Sequence, residues 1–101
     1  MQASVSKDAG KAVVKLAGRF DGNTHREFRG ACAPLAVDGD VRAVVVDFSG
    51  VDYLDSSALG MLLALRDKLG DADKEVALTG VRGYIKQVFD IANFGKLFSI
   101  S

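Results

Sequence analysis

Residues 42–48 read RAVVVDF. Apolar side chains stand on both faces of this run, the pattern of a strand with cover on two sides, and it marks the centre of a sheet. Five residues further on, 53–63 read YLDSSALGMLL, where an aspartate and two serines stand directly before an apolar segment of helical period. Oxygen-bearing side chains at such a junction accept hydrogen bonds from amides that lack an intrahelical partner. One cap would be enough for that purpose. Three polar residues in a row call for a further use.

Working outward, a hairpin is expected over 3–17. Two β-prone pieces flank the turn-like KDAGK at 7–11, and Val14 and Leu16 alternate with Lys15 in AVVKLAG. Thr24 to Glu27 has the spacing of a capping box, with Phe28, Ala31, Cys32 and Leu35 following at helical intervals, so a helix is expected just after Thr24. Gly30 and Pro34 predict a bent or irregular far end. After the central strand come a helix over 56–69, a strand over 75–79 (EVALT), a helix over 84–91 and a short strand over 97–100. A hairpin followed by alternating helices and strands gives an α/β class: one domain over 1–101, with a mixed sheet of about five strands. Short hairpin strands and only about three helices place the helices mainly on one face, with the hairpin strand at an edge.

With 101 residues, 49% of them hydrophobic and 26% charged, the chain suits one core. Thirteen basic residues balance thirteen acidic ones, so no overall field draws it to nucleic acid or to an anionic membrane. No apolar run approaches the ~20 residues that a spanning helix needs, and nothing at the N-terminus resembles a signal peptide. Cys32 and His25 are each the only residue of their kind, which leaves no internal disulfide and no metal-ligand spacing. A cytoplasmic protein without a cofactor of its own is expected.

On a helical wheel over 56–69, Ala58, Leu62, Leu65 and Leu69 gather on one side with Met61 beside them, and this side should face the sheet. Ser56, Gly60, Leu63 and Asp67 fall opposite. Leu63 is an outward leucine, and Gly60 costs ~1 kcal/mol relative to alanine inside a helix while offering close approach to a partner. With Asp55 as N-cap, Ser56 occupies the first helical position and Ser57 the second, and Ser56 alone shares the outward stripe. A phosphate on Ser56 would meet free amides and the positive end of the helix dipole, so the fold should tolerate it.

These residues resemble a known family. LDSSALG, preceded by VVVDFSGVDYLD, is similar to the signature of the STAS domain of bacterial anti-sigma factor antagonists; GRFDGNTHREF resembles that family's loop and first helix, and IKQVFDIANFGKLF its third helix leading into the last strand. The likeness spans nearly the whole chain. It implies that the serine after the motif aspartate, Ser56, is phosphorylated, and that Asp21, Asn23 and Thr24 lie in a loop beside it that supports the partner-binding surface with Asp55, Ser57, Gly60, Leu63 and Asp67. It implies partner switching: the unmodified chain binds an anti-sigma factor with serine kinase activity and frees a sigma factor, phosphorylation blocks that binding, and a metal-dependent serine phosphatase reverses it. ATP and metal then belong to the partners. The family often has glycine where Ala58 stands, a small and inward-facing departure.

Enzymatic alternatives are weaker. Ser56 lacks a histidine base and a G-x-S-x-G elbow, so hydrolase chemistry is not expected. His25 reads as a surface residue and Cys32 as a small buried hydrophobe. Asp47 resembles the phospho-accepting aspartate of a response-regulator receiver, but the acidic pair and late lysine of that site have no convincing counterparts. The rival within the same fold is a STAS module that is never phosphorylated and acts as a binding or scaffold part, in a stress-sensing assembly or as a transporter accessory subunit.

Overall fold

The computed structural model describes all of residues 1–101. Its strands are β1 (Gln2–Asp8), β2 (Lys11–Phe20), β3 (Ala43–Leu54), β4 (Glu75–Thr79) and β5 (Ser99–Ile100). The helices are α1 (His25–Val37), α2 (Ser56–Asp71) and α3 (Gly83–Ile91), with short 3-10 turns at Gly22–Thr24 and Phe94–Lys96. All five strands form one sheet in chain order. β1 runs antiparallel to β2, and every later pair is parallel.

That order dictates where the helices go. Each parallel step needs a crossover, each crossover carries one helix, and right-handed crossovers that all advance in one direction set their helices on one face. The burial pattern agrees. Ala12, Val14 and Leu16 of β2, Val44, Val46 and Phe48 of β3, and Leu78 of β4 are buried, whereas the intervening Lys11, Lys15 and Glu75 are exposed. The hairpin strand β1 lies at an edge, as expected.

Other expectations are corrected. The apolar run at 42–48 does lie at the sheet centre, but it is covered on one side only: Val45 is half-buried because Val13 and Ala77 flank it in the same row. β3 also continues past Phe48 to Leu54, where it pairs with the last residues of β2 across two register shifts. Gly50 permits this close approach, since a Cβ there would stand 2.9 Å from the Leu16 carbonyl oxygen. α1 runs through Pro34 to Val37, with the proline exposed. β5 is two residues long because Leu97 closes the preceding turn, its amide donating to the Phe94 carbonyl at 3.0 Å.

A row of aromatic rings closes the core. Phe28, Phe20, Phe48, Phe89, Phe94 and Phe98 follow one another with centroid separations of 4.8, 6.2, 5.3, 5.2 and 5.2 Å. These are all six phenylalanines of the chain, and they tie α1, the sheet, α3 and the C-terminal segment into one apolar layer.

Candidate functional site

Phe20 and Leu54 are register partners at the ends of β2 and β3. The residues that follow them therefore emerge side by side at the C-terminal edge of the parallel strands, the edge where open α/β sheets gather their sites. One connection is the loop Asp21 to Thr24, the other the junction Asp55 to Ser57.

The loop is held by a capping box, although not the one expected. Thr24 stands before α1 without a side-chain cap bond, and the box instead joins Asp21 and Thr24 around the 3-10 turn. Asp21 Oδ1 accepts the Asn23 amide at 3.0 Å, while Thr24 Oγ1 accepts the Asp21 amide at 3.1 Å and donates to the Asp21 carbonyl at 2.8 Å. Thr24 is buried, so it braces the loop from within and offers a partner no contact of its own. Asn23 is exposed and Asp21 half-buried, with Arg19 Nε 3.5 Å from its carboxylate. The Arg19 guanidinium also lies over the Tyr53 ring at 3.9 Å, joining the ends of the same two strands.

Asp55 is the N-cap of α2, its Oδ1 accepting the Ala58 amide at 3.1 Å. Ser56 and Ser57 are both exposed at the first and second helical positions. They face different neighbours. A Cβ on Gly22 would lie 3.5 Å from Ser57 Oγ, so Ser57 looks toward the β2–α1 loop. Ser56 shares the solvent side of α2 with Gly60, Leu63 and Asp67, all exposed, while Ala58, Leu62, Leu65 and Leu69 are buried as the wheel requires. A Cβ on Gly60 would meet nothing within 4 Å. The outward stripe is therefore flat at its middle.

The structure adds residues that were not singled out. Gly22, Met61 and Ala64 line a shallow depression with Ser57, Gly60 and His25. The signal for the helical part was present, because 57, 60, 61 and 64 have i, i+3, i+4, i+7 spacing beside the chosen stripe. Gly22 and His25 come from the other connection, and their place depends on the β2–β3 register. His25 is exposed, in keeping with its reading as a surface residue. Tyr84 of α3 approaches from the opposite side, its hydroxyl donating to the Leu54 carbonyl at 3.3 Å.

The other reactive candidates are engaged elsewhere. Cys32 is buried, and desolvation pushes its thiol up to about 12, which suppresses thiolate chemistry. Asp47 Oδ1 accepts the Ser49 amide at 2.9 Å and so closes a turn of the backbone. What the surface offers is an exposed hydroxyl at a helix N-terminus beside a flat, partly apolar stripe. That arrangement suits a docking surface whose charge can be changed by modification.

The family described as Mlab, STAS domain, matches residues 3–99. A STAS-domain containing protein of Pseudomonas aeruginosa is 40% identical over 96 residues, covering 95% of this chain and 93% of the relative. The anti-sigma-B factor antagonist of Staphylococcus aureus is 31% identical over 88 residues, covering 87% of this chain and 81% of its own. Among solved structures, the Bacillus cell fate determinant SpoIIAA in its phosphorylated form superposes with a TM-score of 0.75 at 18% identity, covering 98% of this chain and 90% of that one.

Proposed function

The chain belongs to the STAS domain family of anti-sigma factor antagonists, and from that premise we propose that it acts by partner switching with Ser56 as the switch. Unmodified, the stripe of Ser56, Gly60, Leu63 and Asp67, flanked by Asp21 and Asn23, binds an anti-sigma factor that is also a serine kinase, and a sigma factor is released. The kinase transfers the γ-phosphoryl group of ATP to Ser56 Oγ, the hydroxyl proton passes to a base on the kinase, and ADP leaves. A metal-dependent serine phosphatase hydrolyses the ester and restores the hydroxyl. The chain itself is a binding partner in this cycle and carries out no catalysis. The reading places it in the cytoplasm; no helix is long and apolar enough to cross a membrane.

The observation that carries the reading is the position of Ser56: exposed, first in α2, and on the only helix face that combines a glycine with an outward leucine. A phosphate adds about −1.5 to −2 charges at neutral pH. At this position it meets free amides and the positive end of the helix dipole, so it leaves the fold intact. Placed in a close interface it suffers desolvation and like-charge repulsion, so it ends the complex.

The test incubates wild type, Ser56→Ala and Ser57→Ala with the cognate kinase and ATP and follows intact mass. Wild type and Ser57→Ala gain one phosphate, and Ser56→Ala gains none while still binding the kinase. Modification of Ser56→Ala at the wild-type rate would remove Ser56 from the mechanism. Partner capture that persists with no phosphate on any variant would assign the chain to the unphosphorylated binding or scaffold modules of the family.

A further inference from the structure

A groove of about 230 Å³ runs between α1 and α2. Phe28, Cys32 and Leu65 are buried at its floor, and Met61, half-buried, stands at its mouth. The rims are different in character: His25 and Arg29 on one helix and Lys68 on the other, all exposed. Neither Arg29 nor Lys68 takes part in any of the four ion pairs of the chain. The surface beside Arg29 and Lys68 adds a further unpaired cation, Arg26, against one carboxylate, Glu27. The groove is also continuous with the depression at the candidate site, because His25, Met61 and Ala64 line both.

We propose that this groove receives an acidic amphipathic segment of the binding partner, with one large apolar side chain entering between α1 and α2 and carboxylates on either side of it meeting Arg29 and Lys68. The proposal rests on the antagonist reading and extends its footprint from the N-terminus of α2 onto α1. Apolar contact with the floor supplies the desolvation, and the rim charges fix orientation and speed encounter. Met61 suits the mouth of such a groove, since an unbranched thioether shifts aside at little cost. The placement of the cations decides between a peptide and a free amphiphile. Arg29 lies one turn beyond His25 on α1 and Lys68 on the facing helix, so the charges are divided between two rims. Several carboxylates carried along a peptide match that layout; the single head group of an amphiphile needs cations converging at one end.

The chain has two methionines, Met1 and Met61. Methyl-13C methionine labelling of the full chain therefore gives one resonance in the groove and one internal control at the N-terminus. The labelled protein is titrated with a short helical peptide whose central phenylalanine is flanked one turn away by glutamates, with the same peptide carrying lysines instead, and with decanoate. The Met61 resonance moves saturably with the glutamate peptide while Met1 stays, and the lysine peptide binds at least about tenfold more weakly. Arg29→Glu combined with Lys68→Glu reverses the preference, with the melting temperature confirming that the exposed substitutions leave the fold in place. Equal affinity for both peptides, or a Met61 signal unmoved by either, overturns the proposal. A response to decanoate alone also overturns it, assigning the groove to a free amphiphile. The phosphorylation assay separates this result from the underlying reading. Wild-type kinase affinity in the double variant, with Ser56 still modified, would remove the groove and keep the switch. Peptide docking on a chain that no kinase modifies would keep the groove and remove the switch.

Discussion

Phe20 and Leu54 sit opposite one another at the ends of two parallel strands, and the Asp55 amide donates to the Phe20 carbonyl at 3.3 Å. This single pairing sets Asp21 and Asp55 next to each other in space although 34 positions separate them in the chain. Each carboxylate then caps the turn that follows it: Asp21 takes the Asn23 amide, Asp55 the Ala58 amide. The proposed partner surface is thus built from two capped chain reversals at one edge of the sheet.

Removing either cap should loosen that edge measurably. Asp21→Ala and Asp55→Ala are each expected to lower stability by about 0.5–2 kcal/mol, because the freed amides lose a designated acceptor. Asparagine at either position should recover most of the loss, since its carbonyl oxygen caps in the same way. Urea denaturation of the four variants checks this. A full loss in both asparagine variants would show that charge, and not the cap bond, is what matters.

The aromatic row makes Phe48 the central core position. It is buried, with Phe20 on one side at 6.2 Å and Phe89 edge-on at 5.3 Å on the other. Phe48→Ala should cost about 3–5 kcal/mol, a large part of the ~5–15 kcal/mol that holds a small domain folded. On α2, Leu62→Ala should cost about 2–5 kcal/mol and Leu63→Ala stay within about 0.5 kcal/mol, because Leu62 is wholly buried and Leu63 is 36% exposed. Equal losses at these two neighbours would contradict the orientation of the helix.

The contrast between Leu62 and Leu63 was readable from spacing alone, as was the edge position of the hairpin strand. Both follow from local periods of 3.6 and 2, which any short window displays. The second half of β3 was not readable, because SGVD at 49–52 has turn composition and becomes strand only through pairing with β2 across register shifts. The same holds for the aromatic row and for Gly22 and His25 at the site. In each case the deciding contact joins residues far apart in sequence. Thr24 does stand directly before α1, as its spacing implies, but its capping partner differs for a subtler reason: its spacing to Glu27 and to Asp21 both fit a box, and a 3-10 turn inserted before α1 selects the earlier one.

Cys32 supplies a pH-dependent prediction. Burial raises its thiol from the ordinary 9.0 to about 12 in the folded chain. Above about pH 9 the unfolded chain therefore loses this proton while the native chain keeps it, so stability falls as pH rises through that window toward 12. Cys32→Ala should flatten this part of the alkaline limb in denaturation measured at stepped pH. At neutral pH a thiol reagent should modify native Cys32 only as fast as the chain opens. Modification at the rate of an unfolded peptide would place the thiol at the surface.

Gly60 separates stability from binding most sharply. Glycine inside a helix loses more backbone freedom on folding than alanine, and a Cβ at this position meets no atom within 4 Å, so nothing in the fold requires it. Gly60→Ala should therefore stabilise the chain by about 0.5–1 kcal/mol. Its methyl group would nonetheless project from the middle of the stripe formed by Ser56, Leu63 and Asp67, where a partner lying close to the helix has no room for it. Gly60→Gln should extend the effect, keeping a good helix former while raising a larger obstacle. Thermal melting and calorimetric titration with the kinase, run on both variants, should move in opposite directions: a higher melting temperature and a weaker complex. If both variants gain stability and bind the kinase as wild type does, the solvent face of α2 is not the surface that the partner covers.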